Sequence, residues 1–202
     1  FWQEAGYFDS ASHEKWLLHT WSLSVEWQFY LVLPILMWMV WKLKPGWGTQ
    51  LFTLCCAFIF SFLICVFSTV SQPTMAFYFL HTRAWEMLSG GIVYLLAIKY
   101  HPSKIQSSII EYSGLAAVTF SVFAFDNSMA WPSWHPLIPA IGAALVIIAN
   151  GQSPWTASLL AQWIGARSYS LYLWHWPVYV TLAYWNLDSN PYAVLFGLIA
   201  TL

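Results

Sequence analysis

Charge is what this sequence lacks most. Only 7% of its 202 residues are Asp, Glu, Lys or Arg, against about a quarter in an ordinary soluble domain. A chain that is 59% apolar and 20% aromatic has too little polar surface to cover a water-exposed globule, which excludes the soluble class. The net charge of −1 excludes a nucleic-acid partner, because phosphate binding needs Lys and Arg gathered on one face. Cysteine is scarce as well. Cys55, Cys56 and Cys65 share one uncharged apolar stretch, so they read as small buried hydrophobes and not as a disulfide framework or a metal site. There is no initiator Met and no basic n-region before an apolar core, which excludes a signal peptide and leads us to expect a piece of a longer protein. HExxH, paired CxxC, a Gly-rich phosphate loop and a GxSxG elbow are all missing. No metal is therefore expected, and any chemistry must rest on His, Glu, Arg and Tyr.

What the chain has in abundance is long apolar runs. A membrane helix needs about 20 mostly apolar residues, and on that rule crossings fall near 17–41, 51–70, 77–98, 109–125, 137–149, 168–185 and, truncated, 192–202. The stretch 137–149 is short enough to be re-entrant. Stretches such as Leu51 to Val70 are apolar all round and lack the alternation of a membrane barrel. The expected fold is all-α, a polytopic membrane helix bundle of about seven crossings. If the crossings alternate, Lys42, Lys44, Lys99, Lys104 and Arg167 share one side, and the other connections hold Lys15 with Glu4, Asp9, Glu14, Asp126 and Asp188. That bias places the first set in the cytoplasm. Prolines at 45, 73, 102, 132, 136, 154 and 191 punctuate the connections.

The informative residues are the polar ones inside the expected spans. Glu26 falls mid-span, where an ionisable side chain costs roughly 2.5–3.5 kcal/mol on insertion scales, so it is expected to face the bundle with a partner. At helical spacing His19, Ser22, Glu26 and Tyr30 form one polar stripe, and Pro34 frees the Tyr30 carbonyl. The plain alternative is that Glu26 only pins helix packing. Arg83 and Glu86, three apart, can pair on one face, either as a structural clamp or as a ligand site. His81 falls at the outer end of the same span as an interfacial side chain, and Ser89-Gly90-Gly91 is expected to let another backbone approach closely. Ser168, Tyr172, His175 and Tyr179 share a face, with the Leu173 carbonyl freed by Pro177. His175 reads either as a satisfied core histidine or as an acid/base group.

Three segments in order resemble one family. HTWSLSVEWQFYLVLP (19–34), with Ser22, Leu23, Ser24, Glu26 and Tyr30, resembles the SLSxExxxY-type segment of the membrane-bound acyltransferase 3 family of bacterial O-acyltransferases. FYFLHTRAWEMLSGG (77–91), through Thr82, Arg83, Trp85, Glu86 and Gly90, resembles its TRxWE-then-Gly segment, and SYSLYLWHWPV (168–178) is similar to its last well-marked motif. The opening segment, WQEAGYFDSASHEKWLLHTWS, is similar to the branch that carries an SGNH-type domain after the membrane part.

The resemblance implies that residues 1–202 are a partial membrane acyltransferase domain, without its first helices and without any C-terminal soluble domain. It implies transfer of an acyl group, usually acetyl, to a hydroxyl of a cell-envelope glycan such as the O-antigen of lipopolysaccharide, in the bacterial inner (plasma) membrane. Acetyl-CoA is then the donor on the cytoplasmic side and no bound cofactor is expected. The partners are acyl-CoA, an envelope polysaccharide or lipid-linked glycan, and the bilayer. Family members carry an Arg and a His in the first membrane helix that are central to transfer. Nothing before Phe1 supplies them, so this piece alone is expected to be inactive. On this reading Glu26 is catalytic by orienting or charging that His, with Tyr30 in hydrogen-bonding support, and His175 is the third catalytic candidate, lining the donor's path. His19, Ser22, Arg83, Glu86 and Tyr172 are substrate-binding, Arg83 towards CoA phosphates or the oxyanion although the orientation puts it in the outer half. A base would take the sugar hydroxyl's proton while donors hold the oxyanion. The rival reading is a glycan or lipid transporter or flippase, in which buried Glu, Arg and His serve proton coupling and proline-broken helices serve transport. A duller one is a scaffold for another envelope enzyme.

Overall fold

A computed structural model describes residues 16–126, 129, 131–151, 153–187 and 189–201. The calls on Glu4, Asp9, Glu14, Lys15 and Asp188, and most of the opening segment, lie outside the described residues. Among those described there is no strand, and the chain is an all-α membrane bundle. In order it runs through a 3-10 turn, Leu18–Thr20, then α1 (Trp21–Leu43), α2 (Trp47–Ser71), α3 (Pro73–Tyr78), α4 (Leu80–Ala97), α5 (Lys104–Ala124), α6 (Leu137–Ala149), α7 (Pro154–Ala157), α8 (Leu159–Tyr184) and α9 (Pro191–Ala200). A helix stands at each of the seven expected positions. Three segments are long and apolar enough to cross a membrane on their own: Leu18–Leu43, Trp47–Ser71 and Lys104–Ala124. The chain divides into two compact units, Val25–Gln152 and Phe1–Ser24 with Ser153–Leu202.

In the unit Val25–Gln152, α2 buries Gln50, Leu54, Ser61, Cys65 and Thr69. Their spacing defines one helical face, and that face meets α4. The Ser61 hydroxyl inserts into the first turn of α4, donating to the His81 carbonyl at 2.8 Å and accepting from the Trp85 amide at 3.0 Å. It thereby ties α2 to the backbone of α4 at two points one turn apart. Trp85 is fully buried against Phe58 and Phe62. At the other end of the pair, the Trp47 indole donates to the Leu95 carbonyl at 2.9 Å, and Lys99 sits 3.9 Å over the same ring.

The tightest crossing joins α5 to α6. A Cβ on Gly114 would stand 2.6 Å from the Gly142 carbonyl oxygen, and one on Gly142 would stand 2.8 Å from the Gly114 carbonyl oxygen. Two backbones touch there because neither residue has a side chain. The close approach expected at Gly90 does not occur: a Cβ there would meet nothing within 4 Å, and one on Gly91 only the Leu54 side chain at 3.4 Å. Gly90 opens a cleft instead.

Element boundaries differ from the sequence reading for identifiable reasons. The expected span 77–98 is broken at Phe79, which is extended, and Thr82 Oγ1 donates to the Phe79 carbonyl at 2.8 Å to close the break. Helix α5 starts at Lys104 and not at 109, because Ser103 and Gln106 form a reciprocal capping box. In the second unit α8 starts at Leu159 and not at 168, with the Ser158 hydroxyl accepting from the Ala161 amide at 3.2 Å. Arg167, read as part of a connection, is therefore helical, with its guanidinium 4.2 Å over the Trp163 ring. Pro34 and Pro177 sit inside continuous helices. Asn190 caps α9, which packs on α8.

Candidate functional site

The second unit brings four of the expected site residues together. His19 lies in the 3-10 turn ahead of α1, Ser22 in the first turn of α1, and Tyr172 and His175 one turn apart on α8. The Tyr172 hydroxyl donates to the His19 carbonyl at 2.5 Å and is closely paired with the Ser22 hydroxyl. Since the Tyr172 proton goes to a carbonyl, Ser22 is the donor in that second contact. The His19 ring is 2% exposed. It packs 5.4 Å from Tyr172 and edge-on, also at 5.4 Å, to His175. Neither of its ring nitrogens has a hydrogen-bond partner. The Leu173 carbonyl, freed by Pro177, interacts with the ring without closing a hydrogen bond of normal geometry. Polar atoms buried in this way are uncommon in proteins and mark either strain or an absent partner.

His175 is oriented by its own helix. Its Nδ1 lies 2.6 Å from the Tyr172 carbonyl and 3.2 Å from that of Leu171. Both are acceptors, so Nδ1 carries the proton of the neutral ring and Nε2 keeps a lone pair. An imidazole held in this way, with a fixed lone pair at Nε2, is a group that can accept one proton.

Glu26 and Tyr30 belong to the other unit. The partner expected for Glu26 is not found among the described residues: its carboxylate is half-buried and makes no hydrogen bond or ion pair there. Tyr30 is 60% exposed and its ring packs edge-on to Phe29 at 6.2 Å. The polar stripe is thus a spacing on α1 for Ser22, Glu26 and Tyr30, while His19 lies in the 3-10 turn ahead of it, and the members differ in burial.

Arg83 and Glu86 form the expected pair, Nη2 to Oε2 at 2.8 Å, at 22% and 26% exposure. They line a cleft of about 450 Å³ between α4 and α6, floored by Ala140, Ala143 and Ala144. The other carboxylate oxygen of Glu86, Oε1, is buried without a hydrogen bond. His81 is exposed at the start of α4, as expected of an interfacial side chain.

The sequence reading missed Glu111, which is 1% exposed in α5. Its carboxylate lies so close to Gly151 that a Cβ there would overlap it, while Ser107, one turn earlier, donates to the Ala149 carbonyl at 2.7 Å. The signal was a lone acid inside an apolar span. No group of three or more His, Cys, Asp or Glu suited to a metal occurs among the described residues.

Fold and site define a class: an all-α membrane protein whose chemistry-bearing groups, among the described residues, are imidazoles, hydroxyls and the Arg83–Glu86 pair set within apolar helices. The profile of the acyltransferase 3 family, described as an acyltransferase domain, matches residues 2–202, and the chain belongs to that family. It is 28% identical over 197 residues to a protein of Komagataeibacter xylinus named as a membrane-bound transacylase, BcsY, covering 96% of this chain and 50% of that protein. It is 27% identical over 204 residues to one of Bacillus subtilis named as a peptidoglycan O-acetyltransferase, YrhL, covering 92% of this chain and 32% of the relative. With the O-acetyltransferase OatA of Staphylococcus aureus the identity is 29% over 194 residues, covering 88% of this chain and 32% of that protein. The chain thus spans a third to a half of the length of these relatives. No solved structure matches it.

Proposed function

We propose that this protein transfers an acyl group, acetyl in the simplest case, from acyl-CoA to a hydroxyl of a cell-envelope glycan at the bacterial plasma membrane. The observation that carries the reading is His175, whose Nδ1 is held against the Tyr172 and Leu171 carbonyls so that Nε2 is left as a base beside the buried His19 ring. His175 takes the acceptor hydroxyl's proton as its oxygen bonds to the thioester carbonyl carbon. Donors of the full-length protein hold the oxyanion. Collapse of the tetrahedral intermediate breaks the C–S bond, and the proton held on His175 leaves with the CoA thiol. Ser22 and Tyr172 fix the His19 backbone and so the relative placement of the two rings. Two relatives carry names that specify O-acetyl transfer, one of them to peptidoglycan, which supports peptidoglycan as acceptor ahead of the O-antigen that the resemblance suggested. Glu26 is proposed to orient a basic group of the full-length protein.

The test is transfer from labelled acetyl-CoA by the full-length protein in membranes, to peptide-free peptidoglycan strands and to O-antigen polysaccharide. His175→Ala should lower transfer about 10²–10⁴-fold at equal abundance, and Glu26→Gln should lower it severely. Absence of transfer to either glycan by the wild type, or wild-type rates in His175→Ala, would overturn the reading.

A further inference from the structure

The connection between α5 and α6 builds an aromatic cluster for which the mechanism above has no use. Trp134 stacks on His135 at 4.4 Å between ring centroids, Trp131 lies nearly parallel to His135 at 6.4 Å and 12°, and Phe125 closes on His135 edge-on at 5.2 Å. Trp134 is 49% exposed. The segment is held rigidly: Pro132 is fully buried, and the Ser133 amide donates to Thr69 Oγ1 at 3.1 Å on α2. Membrane proteins do place Trp at the interface as single anchors. Here the rings stack on one another in a pinned segment with Trp134 half-exposed at its edge, which is a platform and not a set of separate anchors.

Two more features bear on what the platform takes. The sequence from 125 to 136 has no Lys or Arg and one acid, Asp126, so it offers nothing to a phosphate. The Lys/Arg bias also puts it on the extracytoplasmic side. Pro136, the residue after His135, lines the α4/α6 cleft in which Arg83 and Glu86 stand. That ion pair is neutral overall, so it favours an uncharged ligand over an anion. Its guanidinium, held by Glu86 Oε2 at 2.8 Å, is a fork of N–H donors of the kind that hydrogen-bonds a hydroxyl oxygen. An aromatic face for the C–H side of a ring, near a cleft with a donor for its hydroxyls, is the chemistry that recognises a sugar.

We propose that Trp131, Trp134 and His135, with Arg83 and Glu86 in the adjoining cleft, form a subsite for one uncharged sugar ring of the acceptor glycan. The proposal rests on the acyl-transfer reading for its glycan but not for its binding surface, so the two are tested apart. In the full-length protein in detergent, binding of peptide-free peptidoglycan strands and of O-antigen polysaccharide is measured without donor, and the acceptor KM is measured with labelled acetyl-CoA. Trp134→Ala should weaken binding of the glycan that the wild type retains about tenfold and raise its KM by the same factor. The acetyl-CoA KM and kcat should stay within about twofold. Trp134→Phe, which keeps a ring, should recover most of the loss. Unchanged glycan affinity in Trp134→Ala at equal abundance, or a wild type that retains neither glycan, would overturn the subsite. Glycan retained by the wild type and lost in Trp134→Ala without any acetyl transfer would support the subsite and count against the acyl-transfer reading alone.

Discussion

The α5–α6 crossing gives the sharpest test of the packing. Replacing Gly114 with Ala sets two effects against each other. In a helix interior Ala is intrinsically better than Gly by about 0.8–1.0 kcal/mol. The new Cβ, however, would stand 2.6 Å from the Gly142 carbonyl oxygen, 2.9 Å from Val146 Cγ2 and 3.0 Å from Leu145 Cβ. The first of these obstacles is backbone and cannot rotate away, so the cost falls at the upper end of the roughly 1–3 kcal/mol seen for overpacked cores. The net expectation is a loss of about 1–2 kcal/mol. Gly165, in α8, is the internal control, because a Cβ there meets nothing within 4 Å, and Gly165→Ala should gain up to about 1 kcal/mol. Reversible unfolding in mixed micelles should separate the two variants by about 2–3 kcal/mol. Gly142→Ala should behave like Gly114→Ala, and the double variant should cost less than the sum, since both substitutions strain one contact. If Gly114→Ala proves as stable as Gly165→Ala, the backbones do not touch there and the crossing described above is wrong.

Three further outcomes follow from the same geometry. Arg83→Leu and Glu86→Leu should each lower abundance, since an uncompensated buried charge costs up to about 3–5 kcal/mol. The double variant should regain abundance but not glycan affinity, and recovery of both would make the pair a clamp only. Tyr172→Phe removes the hydroxyl that ties α8 to the His19 carbonyl and to Ser22; it should cost about 0.5–1.5 kcal/mol in unfolding and lower acetyl transfer, and an unchanged rate would separate this network from the chemistry. A cysteine at Thr49, in a background without the native cysteines, should resist labelling by a membrane-impermeant reagent from outside intact cells, because Thr49 stands in the first turn of α2, next to the Lys42 and Lys44 connection on the Lys/Arg-rich side; efficient labelling would reverse the orientation.

Several features were decided by the sequence itself. An uncharged run such as Leu51 to Val70 permits little besides a lipid-facing helix, since no other open structure satisfies its backbone in hydrocarbon. The i, i+3 spacing of Arg83 and Glu86 made their pairing a local matter, and it forms as expected at 2.8 Å. The Ser22, Tyr172 and His175 motifs were visible because polar residues stand out against apolar helices. The apolar patterning started α5 and α8 too late, because it marks the membrane-embedded part and not the hydrogen-bonded part, and the caps at Ser103 and Ser158 went unread. Tertiary structure alone decided which polar groups meet. Nothing in the chain links Tyr172 to the His19 carbonyl, 153 residues away, nor chooses Gly114 and Gly142 over Gly90 and Gly91 for the backbone contact. The same holds for burial: His19 and Tyr30 share a stripe by spacing, yet one is 2% and the other 60% exposed. Periodicity fixes the direction in which a side chain leaves its helix, whereas what stands in that direction depends on neighbours that fold in from elsewhere in the chain.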